Sequence, residues 1–133
     1  MADERRPRGL LDTSVIIDLE QAHLPIESAV SAITMAELAA GPHATQDSDE
    51  RARRQDRLQR AEAAFDPLPF DSEASRAYGR IYAAVVGAGR KARGARAGDL
   101  LIAATACSQG LPLYTRNPAD FQALDTLVEI VPV

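Results

Sequence analysis

The chain has a single cysteine, Cys107, so no internal disulfide is available to it. That fits a reducing compartment such as the cytoplasm. Tryptophan is absent, and three Tyr and three Phe are too few to predict a base-stacking platform. Lysine is almost absent: of 15 basic residues, only Lys91 is not arginine. No apolar run approaches the roughly 20 residues that a membrane-spanning helix needs. Met1 to Gly9 is polar and Arg-rich, so a secretory leader is not expected. His23 and His43 lie apart from every motif, which leaves little for a histidine acid–base mechanism.

What is present describes an ordinary globular domain. The chain has 133 residues, 46% hydrophobic and 26% charged, enough for one real core. Residues 1–8 read as a flexible tail and 9–133 as one domain. A net charge of -4 argues against a generic polyanion binder. The arginines nevertheless cluster: Arg5, Arg6 and Arg8; Arg51, Arg53, Arg54, Arg57 and Arg60; Arg90, Lys91, Arg93 and Arg96. A local basic patch can touch phosphates even when the total is acidic.

Short apolar runs alternate with helical patterns, which predicts an α/β sandwich with a mainly parallel sheet. Gly9–Asp12, Ala29–Ile33, Leu111–Thr115 and Val128–Val131 read as strands, with a short edge strand in the proline-rich 67–70 segment. Ser14 to about Gln21 reads as a helix. Another begins at Thr34 and stops near Gly41-Pro42. Asp49–Phe65 has helical composition and a charged face. Ala74, Ala77, Tyr78, Ile81, Tyr82 and Val85 form a helical stripe capped by Asp71 or Ser72. Asp99 opens a largely apolar helix that ends at Gly110.

Four acids stand just past a proposed strand or at a helix start: Asp12, Glu37, Asp99 and Asp120. Each has a purely structural reading. Asp12 can bond its own turn amides. Thr34-x-x-Glu37 can be a capping box. Asp99 can answer a helix dipole. Asn117-Pro118-x-Asp120 can be a cap and first turn. Ligands of open α/β sheets bind beyond the carboxyl ends of the strands. If all four acids meet at that edge, they cannot all stay ionised without a cation. Oxygen-only ligands then favour Mg²⁺ or Mn²⁺.

These segments resemble a known family. Leu10-Leu11-Asp12-Thr13-Ser14, Thr34-x-x-Glu37-Leu38, Gly98-Asp99-x-x-Ile102-Ala103-Ala104 and Thr115-x-Asn117-x-x-Asp120-Phe121 look like the four signatures of PIN-domain ribonucleases, in order and at similar spacing. The compact length is similar to that of the VapC toxins of bacterial toxin–antitoxin pairs. The resemblance runs from about Gly9 to the C-terminus. It implies a PIN-like three-layer α/β sandwich and a Mg²⁺- or Mn²⁺-dependent endoribonuclease, cytoplasmic and without a membrane role. Asp12, Glu37, Asp99 and Asp120 match the acidic quartet, with Asp12 and Asp99 as the most direct metal ligands. Thr13, Ser14, Thr115 and Asn117 match the supporting polar positions. The implied partners are a VapB-like antitoxin, an RNA substrate and a second copy of the chain. A cationic antitoxin side chain could enter the acidic pocket.

Other readings compete. Arg90, Lys91, Arg93 and Arg96 precede Asp99 and are candidates to guide an RNA backbone, or they form a solvated loop. The Arg51–Arg60 run reads better as a solvated helix face. The apolar faces of the Arg51–Phe65 and Ala74–Val85 helices are candidate dimer surfaces or core. A dehalogenase-type phosphatase needs a second Asp where Ser14 stands. A receiver domain needs a late-strand lysine, and Lys91 is in a loop. The remaining alternative is a PIN-like binding module without turnover, which intact acids at all four positions disfavour.

Overall fold

The computed structural model describes residues 5–19 and 23–133. Its sheet has four strands, β1 (Arg8–Leu11), β2 (Glu27–Val30), β3 (Leu113–Thr115) and β4 (Ile130–Pro132). They lie in the order β2-β1-β3-β4 and every pairing is parallel. Five helices surround them: α1 (Thr13–Ile17), α2 (Ala32–Ala40), α3 (Ser48–Ala64), α4 (Ser72–Gly87) and α5 (Ala97–Gln109).

Alternation along the strands builds two cores. Leu10, Ala29, Leu113 and Ile130 face one side and join α4 and α5. Their neighbours Leu11, Val30, Tyr114 and Val131 face the other, with Val15, Met35 and Phe65. A sheet buried on both faces is the expected state of parallel strands, and it gives the expected three layers. The stripe of α4 is core: Ala74, Ala77, Ile81 and Val85 are buried, so the dimer-surface option for that face falls. Asp71 caps the helix by accepting from the Ala74 amide at 2.9 Å.

Several boundaries differ from expectation. The 29–33 strand ends at Val30, because Ser31 caps α2 through a 3.0 Å bond from the Thr34 amide. Ile33 and Thr34 are therefore helical, and Glu37 sits in mid-helix rather than in a capping box. α1 is shorter than the predicted 14–21 helix; Gln21 lies outside the described residues. α3 begins earlier, with Asp47 accepting from the Asp49 and Glu50 amides. α5 begins at Ala97, so Asp99 is in its first turn rather than its cap. The expected edge strand at 67–70 is a single bridge, Ser31 to Leu68. Part of the expected tail is tied to the sheet. The Ile26 and Glu27 amides donate to the Arg6 and Pro7 carbonyls at 2.9 Å, and the Arg6 guanidinium pairs with Glu129.

Candidate active site

The chain leaves β1 toward β2 on one side, while β3 lies on the other. Such a reversal opens a crevice at the carboxyl ends of the strands. Asp12 follows β1 there, and the turn after β3 carries Asn117 and Asp120 on the far side. α2 brings Glu37 and the first turn of α5 brings Asp99.

Asp12 is 4% exposed. It is the N-cap of α1: its Oδ1 accepts from the Ser14 amide at 2.9 Å and from the Ser14 hydroxyl. Ser14 Oγ in turn accepts from the Arg116 amide at 3.1 Å, which joins the β1 turn to the β3 turn. The Thr13 hydroxyl donates to Glu37 Oε1 at 2.7 Å and lies 3.1 Å from Thr34 Oγ1. On the far side, the Asn117 amide donates to Thr115 Oγ1 at 2.9 Å. The Asn117 side chain makes no cap bond, so that expectation is corrected. The Arg96 guanidinium donates to the Asp120 carbonyl at 3.1 Å.

Asp99 shows that the four acids share one field. Its carboxyl is pushed up to about 6, first by burial, then by the charges of Asp120, Asp12 and Glu37, against a lowering by Arg96. An acid surrounded by acids holds its proton because a second negative charge there is costly. Room is kept between α2 and α5 by Gly98. A Cβ there would stand 3.4 Å from Glu37 Oε2.

Among the described residues no three His, Cys, Asp or Glu side chains are already drawn into a coordination shell. The donor chemistry nevertheless fits a hard divalent cation: four carboxylates, oxygen only, with surplus negative charge felt at Asp99. His23 and His43 are exposed. The basic loop divides. Arg90 donates to Gln122 Oε1 at 2.5 Å and to the Ala119 carbonyl at 3.2 Å, so Arg90 and Arg96 grip the turn that carries Asp120. Lys91 and Arg93 are exposed. Sequence reasoning missed Ser31, whose signal is the Ser-x-x-Thr spacing to Thr34, and the bridging Arg116, for which the sequence carries no signal beyond its place between Thr115 and Asn117.

A PIN-domain family model matches residues 9–127, which takes in β1 from its second residue, β2, β3 and all five helices. The chain therefore belongs to the PIN-domain family and, on its likeness to curated relatives, to the VapC branch within it. It is 38% identical to Ribonuclease VapC5 of Mycobacterium tuberculosis (strain ATCC 25618 / H37Rv) over 133 residues, covering 94% of this chain and 95% of the relative. It is 30% identical to Ribonuclease VapC of Rickettsia bellii (strain RML369-C), covering 89% and 91% of the two chains. In three dimensions it matches the crystal structure of VapBC-5, a member of the VapBC family of toxin–antitoxin systems from M. tuberculosis. The TM-score is 0.85, with 39% identity over 96% of this chain and 99% of the other.

Proposed function

We propose that this protein is an endoribonuclease toxin that hydrolyses RNA phosphodiester bonds with the help of Mg²⁺ or Mn²⁺. One observation carries the reading: three carboxylates from three other elements press on Asp99 at the sheet's carboxyl edge, and with its burial they raise it to about 6. Structural acids are held by cations or by amide donors, as Asp47 and Asp71 are here; Asp99 is instead pressed by other acids, as in a site that holds a cation.

In this reading Asp12 and Asp99 are the principal metal ligands, and Glu37 and Asp120 complete the acidic shell. A divalent ion, when bound, supplies positive charge against the phosphate oxygens and eases proton loss from the attacking water. Hydrolysis forms one P–O bond from water and breaks the bond to the leaving ribose oxygen, which takes a proton. The chain's own residues hold the geometry. Ser14 fixes Asp12 and Thr13 fixes Glu37 by hydrogen bonds, and Arg90 and Arg96 hold the Asp120 turn. Thr115 and Asn117 shape the turn between β3 and Asp120.

The likeness to a VapBC complex supports a VapB-like antitoxin as partner and a second copy of the chain in the assembly. A toxin acting on RNA works in the cytoplasm. Among the described residues no helix is long and apolar enough to cross a membrane.

The test is cleavage of total RNA by purified, antitoxin-free protein with Mg²⁺ or Mn²⁺, with EDTA, and with Asp99→Asn. The expected result is metal-dependent cutting that EDTA and the substitution each reduce about a thousandfold or more. Folded protein that cuts no RNA under any of these conditions would establish the binding module instead.

A further inference from the structure

α3 carries five arginines, and they divide four to one. Arg51 donates to the Pro42 and Thr45 carbonyls at 3.1 and 2.9 Å. Arg53 and Arg54 share Glu50, and Arg54 also reaches the Gly41 carbonyl at 2.9 Å. Arg60 pairs with Asp56 at 2.9 Å. Arg57 alone has no hydrogen bond or ion pair among the described residues, although it is half-buried.

Its place explains why that matters. Arg57 lines two adjoining cavities. The smaller, about 270 Å³, extends from Arg54 and Arg57 to Thr13 and Glu37, the edge of the acidic site. The larger, about 440 Å³, lies between α1 and the later turns of α3, with Ile17, Leu19 and Phe65 in its wall. Ile17 and Arg57 belong to both. Ile17 and Leu19 are 52% and 47% exposed, among the few large apolar side chains that the fold leaves uncovered.

We propose that this groove carries the RNA strand flanking the cleavage point, with Arg57 as its phosphate anchor. The inference rests on the nuclease reading and adds a binding site to it. A phosphate held at the carboxylates needs its neighbours to leave along the surface, and the acids repel them. The groove that opens from Glu37 and Thr13 leads directly to an uncommitted guanidinium. Its planar fork matches two phosphate oxygens. The apolar wall beyond it accepts the face of a base, which is how strands are held without sequence readout. The Arg51–Arg60 run is thus not uniformly a solvated face: four members are spent on the protein and one is held in reserve.

The test is fluorescence anisotropy with a labelled mixed-sequence 12-nucleotide RNA and the full chain, in EDTA so that nothing is cut. Arg57→Ala should weaken binding roughly 5- to 10-fold and flatten the slope of log affinity against log salt by about 0.7, one single-strand phosphate contact. Arg57→Lys should keep that slope. Arg76→Ala, an exposed change on α4, should behave as wild type. An unchanged slope in Arg57→Ala overturns the anchor. So does normal RNA binding by Arg57→Ala with lost affinity for the antitoxin, which would give the groove to the protein partner. So does a wild type that does not bind the probe, since a phosphate anchor needs no metal. If that wild type still cuts RNA with Mg²⁺ or Mn²⁺, the nuclease reading stands without the anchor; if it cuts nothing, both fall.

Discussion

The two halves of the acidic crevice are built differently. On the β1–α2 side every carboxylate has a donor: Asp12 has the Ser14 amide and hydroxyl, and Glu37 has the Thr13 hydroxyl. Ser31 and Thr34 back them with a further bond. On the α5 side the turn backbone is held by Arg90 and Arg96, but the Asp99 and Asp120 carboxylates accept no hydrogen bond among the described residues. Asp99 is instead raised to about 6 by burial and by its acidic neighbours. The first half serves the fold and the site together. The second is a local conflict that the fold tolerates, and such conflicts are expected where function is served.

The sharpest way to break this contrast is at Asp12. Asp12→Ala should lose cleavage about a thousandfold or more and also cost about 1 kcal/mol for the lost cap. That lowers the melting temperature by roughly 3–5 °C in a domain of this size. Asp12→Asn should lose cleavage equally but keep the melting temperature, since its carbonyl oxygen can still accept from the Ser14 amide. Cleavage assays and thermal melts on both variants decide it. A large melting loss in Asp12→Asn would mean that the charge, not the cap, holds the turn.

The same contrast explains what the sequence could reveal. Asp12 after an apolar run, the α4 stripe and the Asp71 cap are local patterns, and each stands where local chemistry puts it. The boundary between β2 and α2 was hidden because Ile33 continues an apolar run while Ser31 bonds three residues ahead. A short run of that kind reads equally well as strand or helix. The convergence of the four acids follows from the strand order, which long-range pairing sets. No spacing within the chain could show that Arg116 bonds Ser14, 102 residues away. Nor could it fully separate Arg57 from the other arginines of α3: the acids that pair with Arg53 and Arg60 lie at helical spacing, but the carbonyls of Gly41, Pro42 and Thr45 that hold Arg51 and Arg54 come from the preceding turn.

The α5 side makes a prediction about pH. Asp99 binds its proton more readily in the fold than in the unfolded chain, where its value is 3.8, so the folded state holds more protons between pH 4 and 6. Stability should therefore fall as pH rises through that window and stay lowered above it. Asp99 is only half-buried, so solvent screening leaves about 1 kcal/mol of the effect. Asp99→Asn should remove this fall and be the more stable protein at pH 7, while losing cleavage. Denaturant melts of both proteins from pH 4 to 7, in EDTA, provide the check. Parallel curves would show that neither burial nor the charges of Asp120, Asp12 and Glu37 raises Asp99.

The smallest expected effect tests the gap between the two halves. Gly98 lies in the first turn of α5 without a left-handed backbone, so its conformation suits alanine. Alanine in a helix is favoured over glycine by about 0.5–1 kcal/mol. The added Cβ would meet Glu37 Oε2 at 3.4 Å and Cδ at 3.7 Å, ordinary contact distances that need no backbone shift. Gly98→Ala should therefore gain stability. In the proposed reaction it also fills space where Glu37 and Asp99 would adjust around substrate and cation, so cleavage should fall by roughly 3-fold, well short of what a larger misplacement costs. A variant that gains stability and loses a little activity would show that the glycine keeps the crevice open rather than supports the helix. A loss of stability would instead mean that Glu37, held by the Thr13 hydroxyl, cannot give way, and that the fixed half of the crevice extends across the gap to α5.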